Sequence, residues 1–479
     1  MTTAPDAATP PVPPGAGTAP VSPDAGTAPV SPDAGTAPVS PDAGTAPAGA
    51  VPEQPTCPFT GAAGDAGDAA GSVPIVLDPL VRDLVGEGAR LRAAGPLVPV
   101  VLPGDVQVYA VTHHTEARQL LTDPRLVKDI NHWNAWQRGE IAMDWPLIGL
   151  VNPGRSMLSV DGPEHRRLRL LVAQALTVRR VERLRGSIES LTNALLDALA
   201  SRTATEVVDL KAEFAQPLPM KVVTALMGVE QVDRPRLKEV FDRFFSSETE
   251  PGEMPRVLAE IDEIFSEVVS EKRAHPGDDL TTALIQASEG GDHLTEEEIL
   301  NTIKVMIVAG HETTISLLLQ AVIGLETHPE QRAKVLAGEV PWENVVEETL
   351  RWSTPTSHVL LRYATEDIPV GDRVLPRGEG LLVSFGALGR DERVHGETAE
   401  DFDITRTGVK HLSFGHGPHV CPGAALSRLE AAVALPALYA RFPDLTLAVP
   451  AAELRNKAVL TQNDLVEVPV HLGRPAAQV

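Results

Sequence analysis

The stretch from His411 to Gly423 combines residue types that could do chemistry. It reads His-Leu-Ser-Phe-Gly-His-Gly-Pro-His-Val-Cys-Pro-Gly, so a loop rich in glycine and proline delivers Cys421 to the start of a predicted helix. Glycine lets a backbone press close to a flat ligand, and Pro422 suits a first helical turn. The N–H groups of a helix N-terminus favour a thiolate at Cys421, which suits an axial ligand of iron. The alternative for a lone cysteine is a buried core residue in a Gly-rich turn.

A second group lies inside an apolar segment that is predicted to be helical from Thr295 to Gln320, with Thr295-Glu296-Glu297-Glu298 resembling a capping box at its start. It contains Ala-Gly-His-Glu-Thr-Thr at 309–314, where glycine costs up to about 1 kcal/mol relative to alanine. Residues that are unfavourable inside a core helix indicate a functional site, and the alternative is a packing defect. Gly310 would let a flat cofactor and O2 approach, and the Thr313 hydroxyl would open the helix hydrogen-bond ladder and hold water. Glu312 would relay protons to bound oxygen.

Two further pairs have helical spacing. Glu348 and Arg351 stand three residues apart, and His165 and Arg169 stand four apart, so each pair shares a helix face. Spacing alone means little, because Glu-x-x-Arg recurs at 182–185 as an ordinary helix pair would. If Glu348 and Arg351 are buried, removing one partner is predicted to cost about 3–5 kcal/mol.

The pattern Phe-Gly-x-Gly-x-His-x-Cys-x-Gly, from Phe414 to Gly423, resembles the cysteine loop of the cytochrome P450 family of haem-thiolate monooxygenases. The segment 309–314, the Glu-x-x-Arg pair and the loop also follow one another in that family's order. The resemblance covers roughly 73–479 and looks most like the soluble actinobacterial branch. It implies the P450 fold, mainly α with a smaller β-rich part, in which a triangular helical body encloses the haem.

The resemblance gives each candidate a role. Cys421 is implied to ligate the iron of haem b (iron protoporphyrin IX), with O2 bound opposite. Glu348 and Arg351 are implied to form a structural ion pair beneath the haem, and cations are expected at its propionates. The implied catalytic residues are Gly310, Glu312 as the acid and Thr313 as the alcohol. The implied cofactor-binding residues are His165, Arg169, Ala309, Arg362, Phe414, Gly415, His419, Cys421 and Gly423.

Two positions depart from the family pattern. Gly389-Arg390-Asp391 stands where many relatives have Asn-Arg-Asp, and Leu176 stands where phenylalanine is common before Thr177. Both departures look peripheral to the chemistry.

Composition limits the possible partners. The chain has 479 residues, of which 43% are hydrophobic, and a net charge of −24, which argues against nucleic acid and anionic membrane surfaces. No apolar run is expected to reach a membrane span, and the first residues lack the basic start and apolar block of a secretory signal. With only Cys57 and Cys421, no disulfide scaffold is expected. A cytoplasmic protein is therefore predicted.

The elements that position these residues begin near Val73. Residues 1–72 are rich in Ala, Pro and Gly, carry nine-residue repeats and are predicted to form a disordered tail ahead of a haem domain at 73–479. From 163 to about 306 the chain reads almost entirely as helix, and a Pro-x-Pro near the start of the helix at 214–227 is expected to bend or delay its first turn. Short strands are predicted at 98–102, 106–111, 359–364 and 381–385. The tryptophans at 133, 136 and 145 are expected either to pack in the core or to contact a substrate pocket.

The resemblance implies a reaction and its partners. Electrons from NAD(P)H would arrive through a ferredoxin reductase and a ferredoxin, and the enzyme would hydroxylate a lipophilic polyketide, terpenoid or steroid-like molecule. An acidic ferredoxin is expected to dock on a basic cluster. The alternatives are a peroxide-driven haem enzyme, a haem protein that binds a ligand without turnover, and a non-haem helical binding protein. The basic cluster consists of Arg166, Arg167, Arg169, Arg179, Arg180, Arg183 and Arg185.

Overall fold

A computed structural model of the protein describes residues 73–203, 205–229, 234–250, 252–289 and 291–476. The predicted tail at 1–72 lies outside the described residues. The described part is mainly helical with a smaller β-rich part, which confirms the predicted fold class. The α-helices are α1 (Leu84–Ala93), α2 (His114–Leu120), α3 (Asn134–Gln137), α4 (Ile148–Val151), α5 (Gly162–Ala175), α6 (Val178–Arg183), α7 (Arg185–Ala200), α8 (Pro217–Met227), α9 (Arg234–Phe245), α10 (Met254–Ala274), α11 (Leu280–Gln286), α12 (Glu296–Thr327), α13 (Pro329–Leu336), α14 (Trp342–Trp352), α15 (Phe385–Leu388), α16 (Glu392–His395) and α17 (Ala424–Arg441).

The largest sheet has six strands in the order β1-β2-β3-β11-β8-β4. Its β2–β3 hairpin confirms the predicted strand pair, and Gly104 takes a φ of 78° in the turn, a conformation that favours glycine. The strands are β1 (Ile75–Val76), β2 (Leu97–Leu102), β3 (Val106–Val111), β4 (Leu126–Val127), β5 (Val207–Asp209), β6 (Ser288–Glu289), β7 (Asp292–His293), β8 (Val359–Ala364), β9 (Ile368–Val370), β10 (Arg373–Leu375), β11 (Gly380–Val383), β12 (Thr446–Leu447) and β13 (Pro469–His471).

Helix α12 runs through the core and packs against α8, α10, α14 and α17. The Thr295 side chain accepts a hydrogen bond from the Glu298 backbone, and the Glu298 carboxylate accepts one from the Thr295 backbone, so the predicted capping box is present. The helix is apolar and long enough to cross a membrane, whereas the sequence analysis predicted no apolar run of that length. However, 72% of its most apolar window is buried inside the fold. It is therefore the core helix of a folded domain.

The Pro-x-Pro sequence at 217–219 sets the start of α8. A five-residue π-helical turn, Lys211–Ala215, precedes it, and the regular helix begins only at Pro217. Because proline lacks an N–H, it fits a first helical turn, where that group needs no partner within the helix. The predicted delay of this helix is confirmed.

Candidate active site

The cysteine loop has the compact form that its glycines predict. The Cys421 amide donates to the Phe414 carbonyl at 2.8 Å, and Gly415 takes a φ of 75°. A Cβ at Gly417 would lie 2.9 Å from the Leu121 carbonyl oxygen, so the loop passes too close to the end of α2 for any other residue. Gly423 is the N-cap of α17, and Cys421 therefore lies just before a helix N-terminus.

Two opposing influences act on the pKa of the Cys421 thiol. Burial raises the pKa of Cys421, while the amides of Gly423 and Ala424 and the positive charge of Arg169 oppose this rise. The amides at the helix N-terminus therefore favour the thiolate, as predicted, but burial opposes them in the described chain. A bound metal cation would supply the missing stabilisation, since metal coordination deprotonates a thiol.

A charged contact fastens the loop to α14. The Glu347 carboxylate lies 3.0 Å from Nε2 of His411 and accepts from Nε of Arg428 at 2.6 Å. The Arg428 guanidinium also lies over the Phe414 ring, 4.5 Å from its centroid. Burial alone would raise the pKa of Glu347, but His411 and Arg428 lower it to about 2. Glu347 of α14 thereby contacts His411 at the start of the loop and Arg428 shortly after its end.

Glu348 and Arg351 form a fully buried, bidentate ion pair. Their nitrogen–oxygen distances are 2.8 and 2.6 Å, and both side chains are 0% exposed. The remaining Arg351 donors reach the carbonyls of Gly389, Ala399 and Asp401. Arg406 adds a second cation, with Nε 3.2 Å from the Glu348 carboxylate. Arg406 was not predicted as a partner of Glu348, because no sequence motif links the two residues.

The departure at Gly389 is part of this cluster. A Cβ at that position would lie 2.0 Å from the Arg351 carbonyl oxygen, which is far inside van der Waals contact. The Gly389 carbonyl accepts from the Arg351 guanidinium at 2.8 Å. The close approach requires glycine at this position, and the expectation that the departure is peripheral to the chemistry stays a prediction. Leu176, the other departure, lies half-buried at the C-cap of α5.

A cluster of cations lies around Asp161, the N-cap of α5. Nε2 of His419 lies 3.0 Å from the Asp161 carboxylate, and the rings of His165 and His419 lie 4.2 Å apart. Arg169 donates to the Val420 carbonyl at 2.6 Å, next to Cys421 in the chain. The structure thus brings together the helix α5 pair and the cysteine loop.

Lys128 and Arg362 complete the cluster, and Lys128 was not found from the sequence. Its Nζ donates to the carbonyls of Leu360 and Leu361 at 3.3 and 3.0 Å. Burial and the Arg362 charge lower the pKa of Lys128 to about 7, and Asp161 opposes them. Its only sequence signal is a lysine just after a short apolar segment.

This cluster fits the anionic edge of a haem. Buried Arg362 has no ion-pair partner among the residues that the structure describes, and Asp161 is the anion that acts on it. Nε2 of His165 is buried with no hydrogen-bond partner in the same part of the chain. Burial and nearby cations lower the pKa of His165 to about 4, so its ring is neutral. A buried arginine without an ion-pair partner and a buried ring nitrogen without a hydrogen-bond partner are both costly, and two propionates would satisfy them.

Helix α12 stays unbroken at 309–314. The Thr313 hydroxyl donates to the Ala309 carbonyl at 2.9 Å, so the predicted opening of the hydrogen-bond ladder is wrong. A Cβ at Gly310 would meet Val223 of α8 at 3.2 Å, so this glycine lets the two helices approach. Its role toward a cofactor stays a prediction.

Glu312 is buried one residue before Thr313. Its carboxylate lies 3.3 Å from Nε2 of His311, although the two groups are not aligned as a hydrogen bond. Burial alone would raise the pKa of Glu312, but His311, Lys457 and Lys211 lower it. The carboxyl group is therefore ionised at neutral pH and can accept a proton.

An apolar cavity of about 240 Å³, the distal cavity, adjoins Ala309 and Thr313. Those two residues lie four apart and face the same way on α12. The predicted pocket tryptophans are absent from its lining: Trp133 is fully buried and stacks on Tyr363 at 5.5 Å, as the core alternative expected. Its apolar lining includes Leu150, Leu158, Phe244, Leu258, Ile261, Val308 and Leu360.

Comparisons with known proteins place the chain in one family. The family model for Cytochrome P450 matches residues 216–338 and 342–463. The chain is 40% identical over 411 residues to 2-hydroxy-5-methyl-1-naphthoate 7-hydroxylase of Streptomyces carzinostaticus, which is 84% of this chain and 99% of that protein. It is 34% identical over 392 residues to 6-deoxyerythronolide B hydroxylase of Saccharopolyspora erythraea, which is 80% of this chain and 95% of that protein.

A solved structure gives the same result. Testosterone-bound CYP154C4 from Streptomyces sp. ATCC 11861 is 70% identical, with a TM-score of 0.83, and the match covers 85% of this chain and 100% of that one. Identity at this level over a whole domain extends from the fold to the chemistry that the fold supports. The chain belongs to the cytochrome P450 family, and the protein is a haem-dependent monooxygenase that uses O2 and electrons from a redox partner.

Proposed function

We propose that the protein hydroxylates a lipophilic small molecule of the steroid or polyketide kind in the cytoplasm, with electrons from a ferredoxin and its NAD(P)H-dependent reductase. The domain at 73–479 would carry the reaction on haem b. The observations that carry this proposal are the Cys421 loop, the buried basic side chains of His165 and Arg362 beside it, and the apolar cavity that adjoins Ala309 and Thr313.

Each part of the site has a task in this proposal. Cys421 would ligate the iron, and the cations around Asp161 would hold the propionates. The haem, once bound, supplies the oxidising power for C–H hydroxylation. The protein orients the substrate, excludes bulk water and delivers protons through Glu312 and Thr313.

The substrate class follows from the lining of the distal cavity. Its side chains are mostly apolar, and such a lining binds a lipophilic molecule by contact area rather than by hydrogen bonds. The related CYP154C4 was solved with testosterone bound, and another relative is a hydroxylase of 6-deoxyerythronolide B. A steroid panel is therefore the first to try, followed by macrolactones.

The surface proposed to bind ferredoxin is smaller than the whole basic cluster. Arg167 pairs with Glu298 and Arg180 with Asp278, so these two members of the basic cluster are already engaged. Three exposed members form no ion pair among the described residues, and exposed apolar side chains of α5, α6 and the cysteine loop accompany them. Cations around a few apolar contacts fit an acidic protein partner. This docking face consists of Arg166, Arg179, Arg183, Leu170, Val178 and Val420.

The first test is the absorption spectrum of the reduced protein with carbon monoxide, beside the variant Cys421→Ser. The expected result is a Soret band shifted far to the red that the variant loses, because only thiolate ligation produces it. Haem without that shift, or no bound haem, would overturn the proposal.

The partner and reaction type need a second test. Reversing three charges in R166E/R179E/R183E should lower ferredoxin-supported turnover roughly tenfold at low salt and flatten its salt dependence. The control R118E/R256E/R377E changes the same charge on other exposed surfaces. Equal turnover of the two triple variants would contradict the proposal that ferredoxin binds to the docking face. Turnover with peroxide alone that exceeds turnover with the redox partners would favour the peroxide-driven alternative.

A further inference from the structure

Consecutive residues of α12 face two different cavities. Thr313 lines the apolar distal cavity, whereas Glu312 lines a second cavity of about 590 Å³, the polar cavity. This second cavity lies between α9, α12 and the segment 452–466. It extends from buried Glu312 to the exposed side chains of Arg82, Glu248 and Glu453, so it connects the interior with solvent.

Only a thin partition separates the two cavities. Phe245 and Gln462 line both of them. Water in the polar cavity could therefore reach Glu312 without entering the apolar space where a substrate lies. A proton passed from Glu312 to Thr313 would cross this partition along the helix.

Lys457 occupies the wall of the polar cavity. Its Nζ lies 2.9 Å from the Asp242 carboxylate and 3.2 Å from that of Asp464. Asp464 is itself held by buried Lys211 at 2.7 Å. Lys457 is thus fixed between α9 and the C-terminal segment.

The charges along this wall act on Glu312. Asp242 and Asp464 each contact two lysines, since Lys238 also binds Asp242 at 2.5 Å, so both carboxylates are balanced locally. Glu312 contacts no lysine within ion-pair distance in the described chain, and its compensation comes from His311 and from more distant charge. Burial opposes the charge on both groups: Asp464, Glu312 and Asp242 raise the pKa of Lys457 against it, and His311, Lys457 and Lys211 lower that of Glu312.

We propose that the polar cavity is the solvent inlet for protons and that Lys457, in the wall of this cavity, is a positioning residue for Glu312 at its inner end. This inference rests on the proposed role of Glu312 as the catalytic acid. Glu312 takes a proton from water in the cavity, gives it to the Thr313 side and returns to the carboxylate. Because the Thr313 hydrogen points to Ala309, the hydroxyl oxygen is free to accept. Lys457 stays protonated throughout, so no proton is lost from the wall.

The test compares Lys457→Gln with Lys457→Arg and the control Lys238→Gln in the holoprotein. Lys238 also binds Asp242 but does not line the cavity. Infrared spectra at neutral pH should show a new protonated carboxyl group in K457Q, and the double variant K457Q/E312Q should lack it. K457R and K238Q should resemble the native protein. No new carboxyl band, or a band that persists in the double variant, would overturn the role of Lys457.

Turnover provides an independent measurement. K457Q should raise the solvent deuterium isotope effect at least about twofold and divert electrons from product to hydrogen peroxide, as slower proton supply predicts. Ala458→Leu, which narrows the polar cavity without removing a charge, should raise the isotope effect as well, and an unchanged value would overturn the inlet. Native-like coupling in E312Q would instead refute the acid role itself, while leaving the infrared result on Lys457 interpretable.

Discussion

The two sides of the active site are built from different kinds of contact. On the cysteine side, comprising the 411–423 loop and the Glu348–Arg351 cluster, buried charges meet partners at 2.6–3.2 Å. The distal cavity, in contrast, is lined mainly by apolar side chains from several separate segments. Directional contacts fix one arrangement, whereas apolar contacts depend on area and shape.

This difference separates reactivity from selectivity. Any change on the cysteine side leaves a buried charge or donor without a partner, which costs several kcal/mol. A change in the distal cavity alters only shape and about 1–3 kcal/mol of ligand contact. We expect the first side to tolerate few substitutions and the second to accept many. The following variants test that contrast.

The largest effect is expected for Glu348→Gln. It removes the carboxylate and leaves buried Arg351 and half-buried Arg406 without their anion, at a cost of about 3–5 kcal/mol of unfolding free energy. Urea denaturation of the holoprotein measures the loss. The matched control is Glu182→Gln, which has the same Glu-x-x-Arg spacing but side chains that are 59% and 46% exposed, and should lose under about 1 kcal/mol. Equal losses would show that burial does not strengthen the pair.

A smaller loss is expected for Gly389→Ala. The added Cβ would overlap the Arg351 carbonyl at 2.0 Å, so α15 must shift, at about 1–3 kcal/mol. Gly386→Ala, in the same short helix, places its Cβ 3.8 Å from the nearest carbonyl and should be nearly neutral. Thermal unfolding compares the two. If the two alanine variants have the same Tm, the close approach at Gly389 is not a constraint.

The sequence foretold the features whose determinants are close together in the chain. The capping box at Thr295, the β2–β3 hairpin and the cysteine loop each depend on residues within about a dozen positions, and local patterns report such contacts well. Arg406 and Lys128 were missed for the opposite reason. Arg406 meets Glu348 across 58 positions, and Lys128 meets Leu360 across 232, with no spacing rule to join them.

The residues that line the distal cavity could not be predicted from the sequence, for a second reason. Leu150 and Phe244 line the cavity, while Trp133 and Trp145 pack in the core, and all four are large apolar residues. Hydrophobicity predicts that a side chain avoids water but not which apolar surface it meets. The sequence therefore predicted a lipophilic pocket without identifying its walls.

Glu430 on α17 differs from the paired buried charges of the Glu348–Arg351 cluster. It leads to a prediction of how stability depends on pH. Its side chain is buried, Oε2 has no hydrogen-bond partner within the described residues, and burial raises the pKa of Glu430 well above its ordinary value. Because the folded state holds this proton more tightly, stability is present below the ordinary pKa and falls as pH rises above it. The slope reaches about 1.4 kcal/mol per pH unit.

Glu430→Gln removes this proton linkage. The variant should lose less stability than the native protein between pH 5 and 8, which urea denaturation across that range measures. The exposed Glu189→Gln provides the control and should keep the native slope. Parallel pH profiles for the native protein and E430Q would mean that Glu430 has a partner that balances its charge.

The smallest effect on stability, and the clearest effect on selectivity, is expected from Val308→Ala beside Val172→Ala. Val308 lines the distal cavity and is half-buried, whereas Val172 is 1% exposed in the core of α5. The core variant should lose about 2 kcal/mol of stability with no change in ligand preference. The cavity variant should lose less, yet change the ratio of Kd values for a small and a large steroid about 10-fold or more. Spectral titration and thermal unfolding of both variants measure this. If V172A changes the ratio as much as V308A, selectivity is not confined to the cavity wall.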